Sequence, residues 1–389
     1  MAKILFVVNV DWFFISHRLP LALSALEGGH DVHIACTLTD KAKYLNDLGL
    51  RLHSLEFRRD SINPFALLLI LCNMYSLFRR INPDIVYLIT IKPVLMGGIA
   101  AKLAKVPAVI SAVPGLGFVF LNAKRFKQKL LKNLIIVLYR QSFSHQNQKI
   151  IFQNCSDRDY LLNASKASSV KTVLIRGAGV PLEKFPFIPL SKAVSGRTLV
   201  VAMASRLLKD KGVFEFVEAA KILKRRGSLA NFWLIGAPDP SYPGSIQSSQ
   251  VEVWRKEGFI ECLGYRTDIA ELYSKASIIT LPSYGEGLPK SLIEAAACGR
   301  PVITTNVPGC RDAIIQNITG LLVPPGDAMA LANAIEKLLL DERARIVMGE
   351  AGRKLAEKEF DIRSVIAQHN KIYNELLLNS KSKINHNHE

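Results

Sequence analysis

The sequence predicts an α/β protein of two doubly wound domains, each a parallel sheet with helices on both faces. Three observations lead there. Its 389 residues exceed what one hydrophobic core usually organises. Short β-branched runs alternate with helical patterns throughout, as they do where crossover helices cover a parallel sheet. The series pauses once, between Val180 and Arg197, where Pro181, Pro186, Pro189 and a Ser/Lys/Gly-containing stretch interrupt regular structure.

Taken in order, strands are expected at Ile4 to Val8, Val32 to Cys36, Ile85 to Ile89, Ala108 to Ala112, Ile150 to Phe152 and Thr172 to Ile175. A second series follows at Leu199 to Ala202, Phe232 to Ile235, Ile278 to Leu281, Val302 to Thr305 and Leu321 to Val323. Three helical segments close the chain, at Ala328 to Leu340, Glu342 to Phe360 and Ile362 to Leu378. The expected division is an N-terminal domain over 1–185 and a C-terminal domain over 186–360. A helix over 361–378 is expected to return to the first domain, before a loose polar tail over 379–389.

Composition excludes several classes. At 49% hydrophobic the chain is not a disordered or low-complexity protein. Six scattered cysteines (Cys36, Cys72, Cys155, Cys262, Cys298, Cys310) show no short paired spacing of a zinc or redox motif, and a reduced cytosolic setting suits them. The N-terminus runs straight into a strand pattern and does not read as a signal peptide. The longest apolar stretch, Pro64 to Phe78, is broken by Asn73 and Ser76. It falls short of the roughly 20 residues that span a bilayer.

The net charge of +17 asks for an anionic partner. Residues 1–190 carry 24 basic and 11 acidic side chains, an excess of 13, against 26 and 22 in the remainder. No carboxylate occurs between Asp84 and Asp157. Within that span, the segment from Lys124 to Arg140 reads as an amphipathic helix, with Phe126, Leu130, Leu134, Val137 and Leu138 at helical spacing and Lys124, Lys127 and Lys132 nearer the other side. With Arg125 and Lys129, these residues suit an anionic membrane surface, each basic group contributing about 1 kcal/mol there. A nucleic-acid partner is disfavoured, because stacking aromatics are not interleaved with the basic residues and no recognised motif appears.

The stretch most informative for chemistry runs from Leu281 to Pro301. It leaves a strand, crosses a Gly/Pro loop containing Glu286, and opens a helix that carries Lys290, Ser291 and then Glu294. Unpaired N–H groups and the helix dipole make such a terminus a phosphate site. Two carboxylates placed this way can hold hydroxyls from two ends of one ligand. The pattern Pro-Ser-x-x-Glu286-Gly-x-Pro-x-x-x-x-Glu294-Ala-x-Ala-x-Gly-x-Pro-Val resembles the signature of glycosyltransferase family 4, retaining enzymes of GT-B fold with two Rossmann-like domains facing a cleft. Five further segments, read in the family's order, are similar to it: Ala204 to Gly212 with Arg206 and Lys211, Leu234 to Asp239, Leu263 to Arg266, Val307 to Asp312, and Thr319 to Asp327.

The resemblance implies a nucleotide sugar donor held by the C-terminal domain. Arg206, Lys211 and Glu286 would be catalytic, the two cations facing the donor diphosphate and Glu286 the donor sugar or its neighbouring phosphate. Glu294 would bind the ribose hydroxyls, with Gly236, Gly264, Tyr265, Arg266, Gly287, Leu288, Pro289, Lys290 and Ser291 completing the donor site. An Arg fork and a Lys point charge suit a developing dianion. No metal or other cofactor is expected, since the acids of Asp157-Arg-Asp159 read as a helix N-terminus. The first half departs from many family members. Its segments Asn9 to Arg18 and Ser111 to Phe120 instead resemble the branch that extends sugars on undecaprenyl diphosphate in surface polysaccharide assembly. There Trp12, Phe13, His17, Arg18, Gly115 and Gly117 would bind the acceptor, a lipid diphosphate-linked saccharide, and the donor would be a nucleotide-linked hexose or N-acetylhexosamine, with UDP-linked N-acetylhexosamines favoured by this branch. Gly115-x-Gly117 and Gly177-Ala-Gly179 do not complete a dinucleotide fingerprint and read as tight turns. A non-catalytic nucleotide-sugar-binding protein and a transferase with a soluble acceptor are the alternatives.

Overall fold

The computed structural model describes residues 1–57, 64–116, 126–190, 198–239, 242 and 244–386. They form two compact units, Met1–Ala178 with Arg363–Glu389, and Gly179–Ile362.

The first unit is built on a seven-stranded sheet of β1 (Lys3–Val10), β2 (Asp31–Thr37), β3 (Arg51–Ser54), β4 (Ile85–Ile89), β5 (Ala108–Val113), β6 (Gln148–Phe152) and β7 (Thr172–Leu174), in the order β3-β2-β1-β4-β5-β6-β7. All pairs are parallel. The inner strands β4 and β5 are buried along their whole length, which is why they read as continuous apolar runs. β3 was not expected from the sequence. It is an edge strand, Arg-Leu-His-Ser, with both ends exposed, so no apolar run marks it.

Three helices, Pro64–Ile81, Ile91–Leu103 and Phe126–Ser142, share one core over one face of this sheet, with Leu5, Val7, Val86, Leu88 and Val109 beneath them. Gly97 and Gly98 let the middle helix lie close, since a Cβ at these positions would strike Leu88 and Ser142. The opposite face meets the helix Ile362–His386. Phe6 stacks on Tyr87, whose hydroxyl is 2.8 Å from His369 Nε2. This helix does not stop at Leu378. Asn147 Nδ2 donates to Leu376 O and Ser380 Oγ, both at 2.9 Å, so the expected loose tail is helical as far as His386.

The second unit repeats the plan with β8 (Val200–Ala204), β9 (Asn231–Ile235), β10 (Glu261–Gly264), β11 (Ile278–Leu281), β12 (Val302–Thr305) and β13 (Gly320–Val323), all parallel, in the order β10-β9-β8-β11-β12-β13. The unexpected strand, β10, is again at an edge. Where the unit begins and ends, two extended segments clasp each other. Val180 N donates to Phe360 O at 2.8 Å and Ile362 N to Val180 O at 3.1 Å.

Candidate functional site

In the second sheet β8 and β11 are neighbours, and the strand order reverses between them. At such a switch point the two following connections diverge and leave a crevice at the strands' carboxyl ends. The turn after β8 contains Arg206 and Lys211 and ends at Gly212, with φ +74°. The turn after β11 carries Ser283 and Glu286. The two turns meet at backbone level: Tyr284 N donates to Asp210 O at 2.9 Å, and a Cβ on Gly212 would run into the carbonyl of Pro282. A third turn, after β12, is equally close, because Gly309 lacks the Cβ that would strike the Glu286 carbonyl.

This packing brings two distant residues together. Lys211 Nζ donates to Glu286 Oε1 at 2.6 Å, and Ser283 Oγ donates to the same oxygen at 2.8 Å. Both members of the ion pair are mostly buried, with 16% and 14% of their side chains exposed. Burial disfavours the Lys211 cation, but the charge and hydrogen bond of Glu286, helped by Asp210, outweigh it and raise the ammonium's pKa. Lys211 therefore stays charged, and Glu286 Oε2 has no hydrogen bond from the described residues.

The helix Lys290–Ala297 starts after Pro289 without a side-chain cap. No side-chain oxygen caps its first N–H groups. Glu294 does not sit on a solvated face. It is 8% exposed, and burial pushes its carboxyl pKa up, with Lys290 Nζ at 3.2 Å only partly opposing the shift. Arg206 lies to the other side, with Nη1 3.5 Å from Asp239 Oδ2 and its guanidinium over the Tyr242 ring. Gly236, whose missing Cβ would strike the Ser205 carbonyl, donates its N–H to Gly264 O at 2.8 Å. Tyr265 stands in solvent and Arg266 is paired with Asp268 through two nitrogens. Neither has a hydrogen bond to Lys211, Glu286 or Glu294 among the described residues.

Several partners carried no signal that singled them out beforehand. Ser283 precedes Glu286 by three residues in a turn, the spacing at which a hydroxyl can reach back to its own loop. Asp239 and Tyr242 reach Arg206 from the turn after β9, and only the fold reveals that. Tyr284 Oη donates to Glu215 Oε1 at 2.6 Å; burial and this bond push the phenol up to about 12.

In the first unit the helix Asp11–His17 follows β1 directly. Asp11 is fully buried and accepts from Thr39 N at 2.5 Å and Thr39 Oγ1 at 2.8 Å, which fixes Trp12 and Phe13 at the carboxyl end of β1. The His17 ring stacks on Phe13 at 4.2 Å and its Nδ1 is 2.5 Å from Ser16 Oγ. Arg18 is only 3% exposed. Nη1 donates to His17 O, whereas Nε is buried with no partner among the described residues. Burial, with the Arg18 charge, holds the His369 imidazole down at about 3. Asn9 and Thr90, which the sequence does not single out, fall level at the ends of β1 and β4 when the register is continued. Thr90 has φ +74°, and Asn9 Oδ1 and Thr90 Oγ1 are also buried without hydrogen-bond partners among the described residues.

Gly115 has φ +143°. Gly117, Lys124 and Arg125 lie outside the described residues. Lys127 and Lys129 are in the helix Phe126–Ser142, with Lys129 exposed, and Lys132 sits over the Tyr160 ring at 5.2 Å. Of the apolar residues read at helical spacing, Leu138 is partly buried against the core, and the Phe126 side chain lies outside the described residues. Leu130, Leu134 and Val137 are exposed, and the buried side is Ile135 and Tyr139. Of the acids of Asp157-Arg-Asp159, Asp157 is in the first turn of the helix Cys155–Ser165 and is bonded by Asn154, while Asp159 follows it and pairs with Arg158.

The sequence matches the family of glycosyl transferases group 1 over residues 187–355 and that of glycosyl transferase 4-like proteins over residues 3–154. It is 31% identical over 383 residues to the N,N'-diacetylbacillosaminyl-diphospho-undecaprenol alpha-1,3-N-acetylgalactosaminyltransferase of Campylobacter jejuni, covering 94% of this chain and 99% of that protein. With the capsular polysaccharide biosynthesis glycosyltransferase CapM of Staphylococcus aureus the identity is 29% over 388 residues, 95% of this chain and 97% of that protein. Anabaena Alr3699/HepE, solved in complex with UDP-glucose, superposes with a TM-score of 0.75 at 18% identity, over 96% of this chain and 100% of that one. With two parallel α/β sheets of GT-B kind and a match at this identity over nearly its whole length, the chain belongs to glycosyltransferase family 4 and is a glycosyltransferase.

Proposed function

We propose that the protein transfers an N-acetylhexosamine, with retention, from a UDP-sugar to a saccharide carried on undecaprenyl diphosphate, at the cytoplasmic face of the membrane. The observation that carries the donor half is the Lys211–Glu286–Ser283 cluster at the switch point of the second sheet, beside an uncapped helix terminus and the buried Glu294. Fixed positive groups lie where a leaving diphosphate gathers charge. They need no reorganisation as the bond breaks. Lys211 and Arg206 take the place of a divalent ion, so the reaction proceeds without metal.

Glu286 holds Lys211 with Oε1 and offers Oε2 to a donor sugar hydroxyl. Glu294 accepts from the ribose hydroxyls. The acceptor hydroxyl attacks the anomeric carbon on the face from which the diphosphate departs, and its proton passes to the departing phosphate oxygen. Asn9, Trp12, Phe13, His17 and Arg18, at the carboxyl end of β1, line the acceptor side. The acceptor and donor classes are supported by the Campylobacter relative, whose name specifies a diphospho-undecaprenol-linked sugar and N-acetylgalactosamine, and by the UDP-glucose bound to HepE.

Transfer from a panel of UDP- and GDP-sugars to an undecaprenyl diphosphate-linked saccharide tests this. Lys211→Ala and Glu294→Ala should each lower turnover at least about 100-fold with the unfolding midpoint little changed. Near-normal turnover in either variant would remove the donor-site assignment, and activity abolished by a chelator would remove the metal-independent mechanism.

A further inference from the structure

We infer that Tyr284 is a positioning residue of the donor site: its backbone and its phenol hold the turn after β11 against the turn after β8 at two points, and so set where Glu286 stands relative to Lys211. This rests on the donor-site reading above and adds to it a residue that acts through its neighbours.

Tyr284 is bonded on both sides of Lys211. Its N–H donates to Asp210 O at 2.9 Å, one residue before the lysine, and its Oη donates to Glu215 Oε1 at 2.6 Å, beyond it in the chain. Beside Tyr284 in its own turn, Ser283 Oγ reaches Asp210 O at 3.0 Å and Glu286 Oε1 at 2.8 Å. The Lys211–Glu286 pair is thus spanned by a second link that does not involve the pair itself. The turn after β13 closes on the phenol as well, since a Cβ on Gly326 would come within 3.1 Å of Tyr284 Oη.

Neither core packing nor helix capping accounts for this link. Tyr284 is 37% exposed, whereas a tyrosine kept for the core buries its ring. Glu215 is in the first turn of the helix Val213–Arg225, where Gly212 is the N-cap. From that place a glutamate ordinarily reaches back to the N–H of its own N-cap. Here Gly212 N donates to Lys209 O, and Glu215 gives Oε1 to the neighbouring turn instead. Its Oε2 is buried with no hydrogen-bond partner among the described residues. A carboxylate held in this way is costly unless its donor is kept. Burial and the Glu215 bond push the phenol up to about 12, so Tyr284 remains a donor throughout the neutral range.

The consequence concerns the sugar more than the nucleotide. Glu286 Oε1 is occupied by Lys211 and Ser283, and Oε2 is the oxygen offered to the donor sugar. Released from Glu215, the turn is free to shift, and a small displacement of Oε2 is enough to spoil the reacting geometry. Glu294 and the terminus of the helix Lys290–Ala297, which serve the nucleotide, are not bonded to Tyr284. The loss should therefore appear in turnover and spare UDP binding.

The test uses the full chain, UDP, and the transfer assay above. Tyr284→Phe should lower kcat at least about tenfold, while UDP affinity, read by calorimetry, stays that of the wild type. Glu215→Ala should do the same. The double variant Tyr284→Phe, Glu215→Ala leaves no buried carboxylate without its donor, and it should turn over no more slowly than either single variant, because one link is lost only once. In Glu215→Gln the amide oxygen still accepts from Tyr284 Oη, and most of the turnover should return. A merely structural tyrosine would lower the unfolding midpoint and UDP affinity together. The inference is overturned if Tyr284→Phe turns over like the wild type, if the two single losses multiply in the double variant, or if UDP affinity falls in step with kcat. A wild type that transfers no sugar removes the donor-site reading and this inference with it, whereas an indifferent Tyr284→Phe removes the inference alone.

Discussion

At the scale of the residue, Glu294 separates function from stability. A carboxylate 8% exposed with one lysine 3.2 Å away is not what a fold selects for its own sake. Its pKa is raised above the ordinary 4.5, so ionised Glu294 costs stability at neutral pH. The sign follows from proton binding. As pH falls through the raised folded value, the native state takes up a proton before the unfolded chain does, and the cost is relieved. Glu294→Gln is therefore expected to unfold no earlier than the wild type at pH 7, by urea midpoint, and to lose any advantage below about pH 4.5. Its UDP-induced thermal shift should fall sharply over the same range. A Gln variant that is both less stable and fully able to bind UDP would contradict the assignment. The carboxylate pair was legible in the sequence because its spacing sits in a Gly/Pro framework. The bond from Lys211 to Glu286 was not, since 75 residues separate the partners and only the strand order places them side by side.

At the scale of the element, the site is an arrangement of turns that touch through glycines. Gly212 combines φ +74° with a missing Cβ whose place is taken by the Pro282 carbonyl. Gly212→Ala should thus cost well over about 1 kcal/mol, since strain and clash add. It should also push apart the turns that carry Lys211 and Glu286. We expect a loss of donor affinity together with a lower urea midpoint, and Glu294→Gln should not share the second. The central strands were legible because burial on both faces leaves an unbroken apolar run. The edge strands β3 and β10 were not, because half-exposed tetrapeptides carry no such run. The helix Phe126–Ser142 shows a different limit. Of the stripe its periodicity gives, Leu130, Leu134 and Val137 are exposed while Leu138 packs on the core, because periodicity alone does not say which side of a helix meets the core.

At the scale of the whole molecule, charge and topology separate the two units. The excess of 13 positive charges in residues 1–190 falls in the first unit, while the donor site proposed for the second draws on Arg206, Lys211 and Lys290 alone. The chain passes between its units twice, after Ala178 and after Ile362, because the last helix completes the first unit. The clasp of Val180 with Phe360 and Ile362 acquires its meaning here. It brings the two ends of the donor unit together, so this Rossmann-like body is, in genetic terms, a cassette spliced into the first. Such a cassette should be excisable. Residues 179–362, expressed alone, are expected to melt in one cooperative step that UDP raises. A fragment that melts without cooperativity, or ignores UDP, would mean that its two ends hold the host together and not the insert.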